Sequence, residues 1–130
     1  MERKVSGRPK YGDLCYYCGK QATQIDHVIP QIMLRQIALS TEDITLEVIR
    51  SRILTVYCCG ECNCLLSDTF TESLTLKKKL LKDRLRKRYI KILSIPTWYE
   101  EELDELGYAL RSCVEAGLEK QAFIKRRLKW

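Results

Sequence analysis

At 130 residues and a net charge of +6, the chain has the length of one modest domain, and 45% hydrophobic with 31% charged residues is a globular rather than a disordered composition. No apolar run approaches the roughly 20 residues that cross a bilayer, and the polar, basic residues 1–10 lack the apolar centre of a secretory signal. A cytoplasmic protein with no membrane partner is expected, and there seven cysteines, six of them in two clusters, point to metal rather than to disulfides.

The charge is unevenly placed. Residues 1–70 hold eight basic and eight acidic side chains, residues 71–95 hold nine and two (a local +7), and residues 96–130 hold six and seven. A concentrated basic stripe suits a polyanion such as DNA or RNA, and equally a solvated helix face.

In chain order, residues 1–13 read as a flexible basic arm. Its Ser6-Gly7-Arg8-Pro9-Lys10 has a faint likeness to an AT-hook core, a weaker reading than a disordered tail. Residues 14–130 read as a single domain without internal repeat or dividing linker. Cys15-Tyr16-Tyr17-Cys18-Gly19 has the form of a zinc knuckle whose glycine closes the turn. Residues 24–29 suit a short strand ended by Pro30, which also fits the first turn of a helix over 31–39. Ser40 or Thr41 can cap a second short helix bearing Ile44, Val48 and Ile49, although this stretch also passes for a strand. Residues 53–57 are β-rich.

Thr69-x-x-Glu72 fits a capping box, and a long helix is expected from about residue 73 to 93. Leu74, Leu81, Leu85, Tyr89 and Ile92 would make its buried stripe, with Lys78, Lys82 and Arg86 on another face and Arg84, Arg88 and Lys91 flanking. Pro96 breaks this helix, Thr97 caps the next, and Gly117 ends or interrupts that one before a last segment over 118–129. The fold class is α+β, mostly helical: a core over 14–70, a basic helix in 71–95 and C-terminal helices in 96–130.

Cys15-x-x-Cys18 and Cys59-x-x-Cys62 each let two thiolates reach one tetrahedral ion, and together they make a closed four-cysteine zinc site. Forty residues lie between the pairs, so the ion would clip the ends of that segment together. Cys59 is preferred to Cys58 because it preserves the two-residue gap. Cys58 and Cys64 are then spare, and Cys113 is expected in the core. His27 is the only histidine, and a neutral imidazole can take a proton from water near pH 7. Its neighbour Asp26 is a hard oxygen ligand suited to Mg²⁺. Strand neighbours face opposite ways, so the two can share a site only at a strand end or bulge. Asn63 directly follows the last zinc cysteine, and its amide oxygen can share a divalent ion with Asp26.

The order Cys-Tyr-Tyr-Cys-Gly, Ile-Asp-His-Val-Ile-Pro, Cys-Gly-Glu-Cys-Asn resembles the HNH (His-Me finger) endonucleases. It is most similar to their zinc-containing branch, which includes phage endonuclease VII and phage HNH proteins. The resemblance covers residues 15–68, under half of the chain. It implies a ββα-metal core, His27 as the base that activates water, and Asp26 and Asn63 as holders of a catalytic Mg²⁺ or Mn²⁺. It also implies DNA as partner, a homodimer or a phage DNA-processing protein as further company, and host cytoplasm as the place of action. Departures are the long stretch between His27 and Cys59, the lack of a middle asparagine (Asp43-Ile44 is nearest), Leu66-Ser67 where many relatives have Lys-Gly, and no final histidine.

The reaction implied is phosphodiester hydrolysis, with the zinc purely structural because four cysteines leave it no open position. Lys77, Lys78, Lys82, Arg84, Arg86 and Arg88 are the residues expected to hold phosphates without reading sequence. A non-catalytic zinc-stabilised nucleic-acid-binding module is the alternative, and a protein-interaction zinc domain is a third reading.

Overall fold

A computed structural model describes residues 5, 7–28, 55–67, 69, 71 and 73–130. Pro30, the helices expected over 31–39 and from Ser40 or Thr41, Asp43-Ile44, the start of the β-rich stretch at 53–54, Asp68 and Glu72 lie outside the described residues. The described architecture is α+β and mostly helical, with strands β1 (Gln24–His27) and β2 (Thr55–Cys58). Helices α1 (Gly60–Leu66), α2 (Leu74–Arg88), α3 (Ile90–Leu93), α4 (Glu100–Asp104) and α5 (Tyr108–Lys129) follow. None of these helices is long and apolar enough to cross a membrane.

The strands pair antiparallel in the register Gln24↔Cys58, Ile25↔Tyr57, Asp26↔Val56 and His27↔Thr55. Opposed residues share a face, so Asp26, Val56 and Cys58 line the inner side and all three are buried. The knuckle before β1 is laced to β2: Tyr16 N donates to Tyr57 O (2.8 Å) and Thr23 N to Cys58 O (3.0 Å). Part of the expected flexible arm is also tied down. Lys10 N donates to Asp13 Oδ2 (2.7 Å), Gly12 N to Gln21 Oε1 (3.1 Å), and Val5 N to Thr55 O (3.3 Å).

The core joins the knuckle cysteines, Val56 and Leu66 to Leu74, Leu81 and Leu85 of α2. The stripe expected on α2 is present, but Ser73 caps the helix instead of a box on Thr69: its Oγ accepts from Leu76 N at 3.2 Å. The Thr69 hydroxyl accepts from Arg84. The single helix expected to about residue 93 is divided at Tyr89, whose ψ of 24° leaves the helical well while its hydroxyl donates to Glu61 on α1.

Further corrections fall in the C-terminal part. Tyr99, not Thr97, stands at the N-cap of α4. The next break comes at Gly107, and α5 runs unbroken through Gly117. A glycine is tolerated there because Ile95 packs against it: a Cβ would lie 3.3 Å from Ile95 Cδ1. Gln121, buried one turn on, donates to the carbonyls of Ile92 (3.2 Å), Leu93 (3.3 Å) and Ile95 (2.7 Å), where the helix stops before Pro96. Arg111 ties α4 to α5 through Glu100 (2.6 Å), Asp104 (2.5 Å) and Glu115 (2.8 Å). Cys113, expected in the core, is exposed on α5.

Candidate metal centre

The two CxxC pairs meet. The sulfurs of Cys15, Cys18, Cys59 and Cys62 all lie within 4.8 Å of one another, and all four residues are buried. Local backbone explains the convergence. Gly19, at φ +75°, closes the first knuckle so that its N–H donates to Cys15 O at 2.9 Å. Cys59 is the N-cap of α1, its sulfur accepting from Cys62 N at 3.4 Å.

The donor set fits a tetrahedral ion. Zn–S bonds of about 2.3 Å give tetrahedral edges of about 3.8 Å, and Cys18 Sγ to Cys59 Sγ is 3.7 Å. Hydrogen bonds, first from Cys15, pull Cys18 far below the ordinary thiol range and Cys59 down to about 6, while bonds first with Cys18 and Cys15 push Cys15 and Cys62 up. Cys58 faces the core instead, where burial and then the Asp26 charge push it up to about 12. Cys64 is exposed on α1.

The wall of this centre comes from a part of the chain that sequence reasoning left without a task. Arg127 of α5 is 3% exposed; its Nη2 lies 3.9 Å from Cys62 Sγ and 4.0 Å from Cys59 Sγ, and its Nη1 lies 2.6 Å from Glu61 Oε1. Lys82, also buried, donates to Arg127 O. Trp130 covers the knuckle turn, donating from Nε1 to Tyr16 O at 3.1 Å.

Asp26, 6% exposed, points into the inner face of the sheet. Its Oδ2 accepts from the Tyr17 hydroxyl and pairs with Lys77 Nζ at 2.9 Å. Burial first, then the Asp26 charge, pushes the Tyr17 hydroxyl far above its ordinary range. Lys77 Nζ also donates to Val28 O at 3.3 Å and His27 O at 3.5 Å. His27 ends β1, two residues short of the expected bound at 29, and register puts its side chain on the face opposite Asp26. No side chain among the described residues hydrogen-bonds to its imidazole. Asn63 sits in the first turn of α1, and its Nδ2 donates at 2.6 Å to Oε1 of Gln24, which shares the Asp26 face. The structure therefore assembles the four cysteines, sets Asn63 beside the strand that carries Asp26, and brings neither into contact with the His27 ring.

The basic stripe divides. Lys77 and Lys82 are buried, a correction to their placement as solvent-facing phosphate holders: both turn inward because Asp26 and the carbonyl of Arg127 await them. Arg84 is committed to Leu65 O (2.5 Å) and Thr69 Oγ1 (2.9 Å). Arg88 meets Glu61 (3.1 Å), Arg86 meets Asp83 (2.9 Å), and Lys78 lies 5.0 Å from the Tyr16 ring centre. Arg86 and Arg88 remain exposed, together with Lys79, Lys87 and, on α5, Lys120, Lys125, Arg126 and Lys129. One signal for Lys77 was available: it stands three residues after Leu74 and four before Leu81, inside the apolar stripe.

Compared with protein-family models, curated proteins and solved structures, the chain has no match.

Proposed function

We propose that the chain is a zinc-stapled, divalent-metal-dependent DNA endonuclease of the HNH type. The observation that carries this reading is the link from Cys62 to Asn63 to β1. A metal-centre cysteine fixes Asn63 at the start of α1, Asn63 reaches Gln24, and the same strand continues into Asp26 and ends at His27. Among the described residues, the order strand, strand, helix is consistent with that reading.

In this mechanism His27 takes a proton from the attacking water; because it and Asp26 face opposite sides of β1, one reaction centre can use both only at the end of the strand. Asp26 and Asn63 supply hard oxygens for Mg²⁺ or Mn²⁺, which when bound supplies charge neutralisation at the phosphate and leaving oxygen. The donors fit to this extent: Tyr17 and Lys77 both meet Asp26 at Oδ2, and neither Asp26 Oδ1 nor Asn63 Oδ1 has a partner among the described residues. Lys77 holds the carboxylate in one orientation. The four cysteines act only as a scaffold.

The Lys77–Asp26 pair favours a second reading. A carboxylate already neutralised by a buried lysine suits a non-catalytic nucleic-acid-binding module as well. Incubating the pure protein with supercoiled, branched and single-stranded DNA, with Mg²⁺ or Mn²⁺ and with EDTA, separates the two. Metal-dependent cutting that His27→Ala abolishes supports the endonuclease. Salt-sensitive binding with no cutting of any form leaves the binding module.

A further inference from the structure

We infer that Arg127 is the outer cationic partner of the four-cysteine centre and sets how tightly the ion is held there. This rests on the zinc reading above, and the experiment below separates the failure of one from the failure of the other.

Charge is the first argument. Four thiolates around a divalent ion leave two negative charges in a buried site, and water cannot screen them there. Arg127, 3% exposed, stands against that site, and Lys82, 8% exposed, stands behind it on the Arg127 carbonyl. Glu61 does not account for Arg127 alone, because its carboxylate also meets Arg88 at 3.1 Å and accepts from the Tyr89 hydroxyl. One carboxylate is thus shared by two guanidinium groups, and the remaining positive charge faces sulfur.

Geometry is the second argument. Arg127 spans Glu61 through Nη1 and both sulfurs of the second knuckle through Nη2, at 3.9 and 4.0 Å. Its buried Nε has no hydrogen-bond partner among the described residues. A guanidinium kept only for neutral hydrogen bonding would not be buried with a donor orphaned, since that costs free energy. An anionic neighbour offsets the cost: the Glu61 carboxylate, shared with Arg88, supplies part of it and the two sulfurs the rest. The end of α5 is held from the other side as well, by Lys82 on Arg127 O and by Trp130 on Tyr16 O. Arg127 is therefore a positioning residue: it ligates nothing, and acts through Cys59 and Cys62.

The test uses the full chain loaded with Zn²⁺ or Co²⁺. Zinc affinity is measured by competition with a chromophoric chelator, and the thiolate-to-cobalt charge-transfer band is recorded. Arg127→Met should weaken zinc binding about 10- to 100-fold, the usual effect of losing an outer partner. The cobalt band should move to longer wavelength, because sulfurs without a donor give up electrons more readily. Arg127→Lys keeps the charge but not the fork, so it should fall between wild type and Arg127→Met in both readouts. Arg126→Met, at an exposed neighbouring position, should match wild type. Wild-type affinity and an unmoved band in Arg127→Met would overturn the inference. Should Arg127→Met fail to fold, Arg127→Lys decides, with an unmoved band counting against. A wild-type protein that takes up neither metal sinks the zinc reading itself.

Discussion

Lys77 Nζ lies 2.9 Å from Asp26 Oδ2, with the two side chains 1% and 7% exposed. A buried pair of this kind contributes little net stability when whole, but removing one partner strands the other charge in the core. Asp26→Ala should therefore destabilise the fold by about 3–5 kcal/mol, measured by urea unfolding. Asp26→Asn combined with Lys77→Met should recover much of that loss. Additive losses in the double variant would show that the pair is not coupled. The consequence for enzymology is direct: an inactive Asp26→Ala protein is ambiguous, so Asn63→Ala is the cleaner probe of the divalent ion.

His27 supports a sharper experiment. No described side chain hydrogen-bonds to its ring, so His27→Ala should fold, keep its zinc and bind DNA while losing cleavage. Asn63→Ala should instead need more divalent ion, and excess Mn²⁺ should restore part of its rate. The same Mn²⁺ should do nothing for His27→Ala, because extra metal supplies no base. Full cleavage by His27→Ala, with contaminating nuclease excluded, would defeat the mechanism.

Metal analysis of the purified chain should find one zinc. Cys15→Ser, Cys18→Ser, Cys59→Ser and Cys62→Ser should each lose it and much of the folded signal. Cys64→Ser, at an exposed position, should keep it, and so should Cys58→Ser, although that change adds a hydroxyl to the core. Zinc loss in Cys58→Ser with retention in Cys59→Ser would reverse the assignment.

The division of the basic residues predicts two different phenotypes. Neutralising Lys79, Arg86 and Lys87 together should weaken DNA binding and flatten its dependence on salt, with stability changes of roughly 0.5 kcal/mol or less per site. Lys82→Ala should do the opposite, lowering stability with little change in salt slope. An unchanged slope in the triple variant would leave the exposed face of α2 without a polyanion.

Gly19 and Gly12 offer a matched comparison. Both have positive φ, +75° and +96°, but a Cβ at Gly19 would lie 2.5 Å from Trp130 Cδ2, whereas Gly12 meets nothing within 4 Å. Gly12→Ala should lose about 1–3 kcal/mol from backbone strain alone. Gly19→Ala should lose more, and its Trp130 fluorescence should change because the indole must leave the knuckle. Equal losses would mean that the Trp130 contact contributes nothing.

Spacing alone marked out Cys15, Cys18, Cys59 and Cys62, and chose Cys59 over its neighbour Cys58, because ligand geometry is local: two residues between thiolates suit one ion wherever the knuckle sits. The strand that carries His27, though not its exact end, and the apolar stripe from Leu74 to Leu85 were legible for the same reason, since local pattern and periodicity are short-range properties. What the sequence left open, apart from the place of Lys77 inside the apolar stripe, was the direction in which its cations point. Lys77 and Lys82 read as part of a solvated basic face until tertiary packing set Asp26 against one and the carbonyl of Arg127 against the other. Arg127 itself, 65 residues after Cys62, joins the metal centre only because α5 returns across the knuckle. Charge is a property of a residue, but whether it is solvated, paired or buried depends on neighbours brought in from far along the chain, and only the fold selects them.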